Sequence, residues 1–187
     1  FKMASADLTN FPLLEHAAKK GKPMVLSTGM ANMEIVKAAV ELVSKFNNQI
    51  GILQCTSTYP AQFTEINLNV LHTYQHEFPD AVIGYSGHEH GIAIPVAAVA
   101  LGARIVERHF TLDRTMKGGD HAASLEPQGF AKMVRDIHHV ENAMGIFEKV
   151  VQESELPVFK KLAKSIVSNV EGCFFRQMLI GFPPLRK

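Results

Sequence analysis

Residues 84–124 read GYSGHEHGIAIPVAAVALGARIVERHFTLDRTMKGGDHAAS, and the order of elements within this stretch decides the fold. An apolar run closes on Ser86, Gly87 and His88, an apolar helix of about Ile92 to Leu101 follows, and a second run closes on Glu107, Arg108 and His109. His88 and His109 stand 21 residues apart, a spacing poorly suited to one helix and natural for a strand, helix and strand unit. Such a unit returns the chain to the same end of a parallel sheet, where neighbouring strands run about 4.8 Å apart. Histidines at adjacent strand ends can then share one divalent ion, or can fill separate buried and capping roles. The polar, Gly-rich segment after His109 favours a shared site, because parallel α/β barrels carry their chemistry on the loops leaving strand C-termini.

The same alternation extends outward on both sides. Upstream, residues 1–5 read as a strand end, Asn10 as the cap of a helix from about Pro12 to Lys20, and Pro23 to Ser27 as a strand stopping at Thr28-Gly29. A helix from about Met33 to Phe46 places Ile35, Ala38, Ala39, Leu42 and Val43 on one face. Ile50 to Cys55 is a further strand, Leu68 to Phe78 a helix stopped by Pro79, and Val82 to Ser86 and Arg104 to Phe110 are the last two strands. Pro127 to Met144 is the long final helix. Five strands, each followed by a helix, predict an α/β fold with a parallel sheet, open or closed.

Composition narrows the ligands. With 187 residues the chain can bury a core, yet it is short for a complete eight-stranded barrel. A net charge of +1 with scattered Lys and Arg gives no nucleic-acid footprint, leaving small molecules as the expected ligands. Two cysteines make no disulfide framework, which points to a reducing, cytoplasmic setting, and no apolar run is long enough to span a bilayer. The chain opens on Phe1 rather than Met, directly at a strand, so it is expected to be part of a larger protein.

Each expected strand ends on a similar residue: Lys2 with Ser5, then Ser27, Ser57, Ser86 with His88, and His109. One such serine would pass as a helix cap. Together they form a ring of hydroxyls with one ammonium, a donor set suited to phosphate or carboxylate.

These residues lie in strings that resemble the sialic acid synthase family: KMASAD from Lys2, LSTGM from Leu26, LQCTSTYP from Leu53, IGYSGH from Ile83, ALGA from Ala100, ERHFT from Glu107 and KGGDHAAS from Lys117. The last is similar to the animal-type form. The resemblance runs in order from Phe1 to about Gly145. It implies the C-terminal part of a (β/α)8 TIM barrel, about five βα units, with a partial synthase domain over residues 1–150. Residues 151–187 would form a linker and a truncated start of an antifreeze-like domain, with Glu171 to Lys187 looking unrelated. It also implies an enzyme that condenses phosphoenolpyruvate with N-acetylmannosamine or its 6-phosphate, releases phosphate by C–O cleavage, and works as a homodimer when complete.

The implied roles follow position by position. His88 and His109 match ligands of a divalent metal, Mn²⁺ or Mg²⁺, that polarises the sugar aldehyde. Lys2, Ser5, Ser27, Ser57 and Ser86 match contacts to phosphoenolpyruvate, although bacterial members carry Asn at the place of Ser57. Tyr59 resembles a sugar contact, and Asp120 an acid near the metal and the sugar hydroxyls. Asp7 matches an acid, Glu in bacterial members, implied to touch the sugar and move protons. Glu107, two residues before His109, would face the same side and orient metal-bound water; Lys117 would compete between acceptor phosphate and solvent. Cys55 reads as a small buried hydrophobe, and His72 with His76 as a solvated helix face. Two other readings stay open: a noncatalytic remnant whose open sheet edges need a partner, and a metal-dependent barrel hydrolase or aldolase.

Overall fold

Runs rich in Val, Ile and Leu form five parallel strands in the computed structural model, which describes residues 1–164. They are β1 (Lys2–Met3), β2 (Met24–Ser27), β3 (Ile50–Cys55), β4 (Val82–Gly87) and β5 (Ile105–Arg108). Helices α1 (Phe11–Ala18), α2 (Met33–Ser44), α3 (Val70–Glu77), α4 (Ala93–Ala100) and α5 (Pro127–Met144) follow them in turn. Strand order in the sheet equals strand order in the chain. Every connection therefore steps to the next neighbour with no reversal, the arrangement of a barrel arc rather than of a doubly wound sheet. Among the described residues the arc ends at β1 and β5, each paired on one side.

The chain divides into two compact units, Phe1–Gly145 and Ile146–Lys187. Within the second, the described part includes α6 (Leu156–Leu162). The expected unrelated stretch from Glu171 onward lies outside the described residues.

Helix starts follow local chemistry. The side chains of Asn10 and Asn32 accept hydrogen bonds from the backbone N–H of Leu13 and Ile35, satisfying donors that a first turn leaves free. Pro127 opens α5 where a missing N–H costs nothing. The core lies between the outer face of the sheet and the helices: Leu26, Ile52, Ile83 and Tyr85 pack with Leu14, Val36, Ala39, Val43, Leu71 and Ala98. Each large aliphatic side chain buried there contributes about 1.5–3 kcal/mol.

Several elements are shorter than the pattern predicts. α1 stops at Ala18 instead of Lys20, and α2 at Ser44 instead of Phe46, where the last turn tightens into i→i−3 bonds from the Lys20 N–H to the Ala17 carbonyl and from the Phe46 N–H to the Val43 carbonyl. β5 covers Ile105–Arg108 rather than Arg104 to Phe110; beyond it Phe110 makes one bridge, to Leu125. An edge strand is only as long as its single partner, and that partner is invisible in a local pattern.

Candidate active site

Strand alternation sends one set of side chains to the helices and the other to the inside of the arc. Register then brings Cys55, Ser86 and Glu107 into one row across β3, β4 and β5. Just beyond the row come Ser57, His88 and His109, each two residues further on and so on the same side. The mouth they form is a cavity of about 490 Å³, completed by Lys2, Ser5, Ser27, Met30 and Tyr59.

The imidazoles of His88 and His109 stand side by side, with ring centroids 5.1 Å apart. Tyr59 packs against both, 4.1 Å from the His88 ring and edge-on to His109 at 5.5 Å. His88 Nδ1 lies 2.7 Å from the Thr56 carbonyl oxygen. A carbonyl only accepts, so Nδ1 carries the proton and Nε2 keeps its lone pair free. His109 Nδ1 is 4.0 Å from the Asp120 carboxylate, which is largely exposed. Burial disfavours charge on His88, but the Cys55 thiol and the Thr56 carbonyl outweigh it and hold the imidazole above its ordinary value. Burial likewise pushes the Cys55 thiol up, and His88 and Ser5 beside it bring the net value below that of a free thiol.

The hydroxyls and the ammonium at the mouth already hold an anion of the protein itself. Glu107 Oε2 accepts from Ser86 Oγ at 2.8 Å and Ser27 Oγ at 3.5 Å, and the Lys2 ammonium is 3.2 Å away. Ser5 Oγ accepts from the Gly29 N–H at 3.0 Å and reaches the Cys55 sulfur at 3.5 Å. Gly29 leaves room for this close approach: a Cβ there would lie 2.0 Å from Ser57 Oγ, which would have to turn aside.

Residues 1–149 match the NeuB family. The chain is 52% identical to human N-acetylneuraminate-9-phosphate synthase over 98% of its own length and 54% of that protein. The chain belongs to the NeuB family. Similarity to the mouse N-acetylneuraminate-9-phosphate synthase, 52% over 91% of this chain and 48% of that one, agrees with an animal-type member. Among solved structures it resembles the N-acetylneuraminic acid synthetase of Leptospira borgpetersenii in complex with citrate, with a TM-score of 0.77 and 37% identity, covering 86% of this chain and 56% of that chain. A truncated 3-deoxy-D-arabino-heptulosonate 7-phosphate synthase from Thermotoga maritima shares the barrel fold at a TM-score of 0.67 and 20% identity, over 78% of this chain and 59% of that one. The chain spans about half the length of the curated relatives it matches.

Of the ten site residues expected in this NeuB-family chain, eight line one cavity: Lys2, Ser5, Ser27, Ser57, Tyr59, Ser86, His88 and His109. Asp7 and Asp120 do not line it. Asp7 ends the 3₁₀ turn Ser5–Asp7, and Asp120 stands beside His109. Lys117 is exposed in the loop after β5, as are His72 and His76 on α3. Cys55 is buried as expected, yet among polar neighbours rather than apolar ones. Its place in the wall was legible, because it precedes Ser57 by two. Met30, exposed at the rim with φ 63°, gave no such signal. No group of three or more His, Cys, Asp or Glu able to hold a metal occurs among the described residues, and none of their helices is long and apolar enough to cross a membrane.

Proposed function

We propose that the protein carrying this chain condenses phosphoenolpyruvate with N-acetylmannosamine 6-phosphate, or with the free sugar, and releases inorganic phosphate. The product is N-acetylneuraminate 9-phosphate, or N-acetylneuraminate. One observation carries the reading: paired imidazoles stand at the edge of an anion site built from a lysine and serine hydroxyls.

Lys2, Ser27 and Ser86, which converge on the Glu107 carboxylate, would hold the carboxylate or phosphate of phosphoenolpyruvate by charge-assisted hydrogen bonds. Ser5 and Ser57, at the same rim, would add donors. Two imidazoles can serve as ligands of a divalent ion, and the resemblance to the synthases makes that ion Mn²⁺ or Mg²⁺. His88 has its Nε2 free with the proton fixed on the far nitrogen, and the neighbouring ring of His109 is close enough to face the same ion. When bound, the metal would supply Lewis acidity to the sugar's aldehyde oxygen. Two imidazoles as its only protein ligands would leave room for water and for that oxygen.

Tyr59 would close the sugar side of the pocket, with a rising ionisation threshold: burial, Cys55, Asp120 and Glu107 all push its hydroxyl up, so it stays a neutral donor. Asp120 would hold the His109 ring and meet sugar hydroxyls, and Asp7, in the turn after β1, would serve proton movement. Homodimerisation and a cytoplasmic setting belong to the same reading and rest on the resemblance to the synthases.

The deciding measurement is phosphate release from phosphoenolpyruvate by the intact protein, with and without N-acetylmannosamine 6-phosphate and with and without Mn²⁺. Release that needs both supports the proposal; intact protein that releases none under these conditions overturns it. Residues 1–187 alone are expected to turn over little or nothing, because among the described residues the arc ends in two strands that each lack a second partner.

A further inference from the structure

Behind the two imidazoles, on the opposite face of the same strands, lies a buried ionic group that the chemistry above does not use. Alternation that turns Ser86, His88, Glu107 and His109 inward turns Tyr85, Gly87, Glu89 and Arg108 outward. The side chains of Glu89 and Arg108 are completely buried and meet at 2.7 Å. Arg108 Nη1 also donates to the Gly91 carbonyl at 2.8 Å, and Nη2 donates to the carbonyls of Glu89 and Ala123. The second carboxylate oxygen of Glu89 accepts from Tyr85 Oη at 2.6 Å. Gly87, opposite Arg108 in the register, leaves the space this carboxylate fills: a Cβ there would stand 2.6 Å from Glu89 Oε2 and 2.9 Å from Oε1.

Stability alone does not call for such a group. A buried pair gives back in attraction roughly what it loses in desolvation, and apolar side chains of similar volume often serve as well or better. Here the Nε of Arg108 is moreover left buried without a hydrogen-bond partner. What an apolar contact cannot do is fix direction. The planar guanidinium ties the main chain at residues 89 and 91, just after His88, to the residue just before His109, and adds a third tie to Ala123 at the return of the loop after β5.

We propose that Glu89 and Arg108 are positioning residues that set the separation of His88 and His109, so that both imidazoles reach a single divalent cation. The inference rests on the reading of those histidines as a metal site. Arg108 clamps β5 to the segment leaving β4, Tyr85 holds the outer oxygen of Glu89, and the imidazoles inherit their spacing from the backbone so clamped. Loosening the clamp lets the two rings drift apart without removing either ligand.

The test titrates Mn²⁺ alone into the intact protein, following free ion by electron paramagnetic resonance, with thermal unfolding recorded on the same samples. Arg108→Lys keeps the charge and loses the fork, Glu89→Gln keeps the shape and loses the charge, and Tyr85→Phe removes one hydroxyl. Val43→Ala, a cavity in α2, is the control for destabilisation alone. We expect Arg108→Lys and Glu89→Gln to weaken Mn²⁺ binding about tenfold or more, Tyr85→Phe to weaken it less, and Val43→Ala to leave it within about twofold at comparable loss of thermal stability. Folded Arg108→Lys and Glu89→Gln proteins that bind Mn²⁺ like the parent overturn the proposal, as does an equal loss in Val43→Ala. Should the charged variants fail to fold, Tyr85→Phe decides, and unchanged affinity in it counts against the clamp. His109→Ala separates the two readings: if the parent binds Mn²⁺ and His109→Ala binds it equally, the metal site is wrong, whatever the clamp does.

Discussion

Replacing Glu107 by Gln should tighten anion binding. The carboxylate of Glu107 occupies the donors proposed for an incoming phosphate or carboxylate, since Lys2, Ser27 and Ser86 all point at its Oε2. An oxyanion held by the same donors would sit within roughly 5 Å of that charge, where like charges repel by about 3 kcal/mol at an effective dielectric of 20 and about 0.8 kcal/mol in water. The side chains of Lys2 and Glu107 are 35% and 38% exposed, so the solvent-screened end applies and about 1 kcal/mol remains. Gln keeps the hydrogen-bond acceptor for Ser86 while removing the charge. Isothermal titration of inorganic phosphate into the intact, metal-free protein should then show a Kd about fivefold lower in Glu107→Gln. A Kd that is unchanged or higher would mean that Glu107 does not compete for the anion site, and the argument from shared donors fails.

Other perturbations separate backbone from side-chain crowding. In Gly84→Ala the new Cβ would lie 2.4 Å from the Ile105 carbonyl oxygen and 2.5 Å from Leu53 Cδ2; β4 and β5 must part, at a cost of about 1–3 kcal/mol in urea unfolding, and an unchanged midpoint would refute this. Gly29→Ala meets the side chains of Ser57 and Ser5 and no backbone, so it should unfold within about 1 kcal/mol of the parent yet bind phosphate severalfold more weakly; equal binding would remove both serines from the proposed anion site. On the surface, the hydrogen bond and charge of Lys37 hold the Glu77 carboxyl below its ordinary value. A depressed folded value means a stabilising contribution present above the ordinary glutamate range and lost as pH falls through the folded value. In Lys37→Met, NMR titration should show the Glu77 carboxyl moving up toward the ordinary value, and no movement would discount the pair.

Much of the fold was legible because its determinants are local. Asn10 as a cap, Pro127 at a helix start and the short apolar runs each act within a few residues, and those elements formed where the pattern predicts. What failed was length, by two residues at the ends of α1 and α2 and most at the ends of the arc. β1 has two residues and β5 four, because each pairs with one neighbour only, and no local pattern says where that neighbour stops. The end of the barrel arc also had to come from resemblance, since alternating strands and helices suit an open sheet as well. Strand order in the sheet, a non-local fact, is what distinguishes the two.

The site was legible to the same degree and for the same reason. Residues two apart at strand ends, such as Ser86 and His88 or Glu107 and His109, share a face, so their convergence follows from pleat and register. The pattern could not show what occupies the donors: that Glu107 takes Lys2, Ser27 and Ser86 at once depends on a carboxylate on β5 reaching β1 and β2 across the mouth. Nor could it show why register holds here. A slip of one residue in β5 against β4 would exchange the faces of β5, moving the buried Arg108 toward the mouth and His109 toward the helices, away from Glu89 and His88. Gly84 admits Ile105 and Leu53 on one face, and Gly87 admits the Glu89 carboxylate on the other. Both faces of β4 are thus shaped to accept a single partner alignment, and the spacing of the two histidines follows from that alignment.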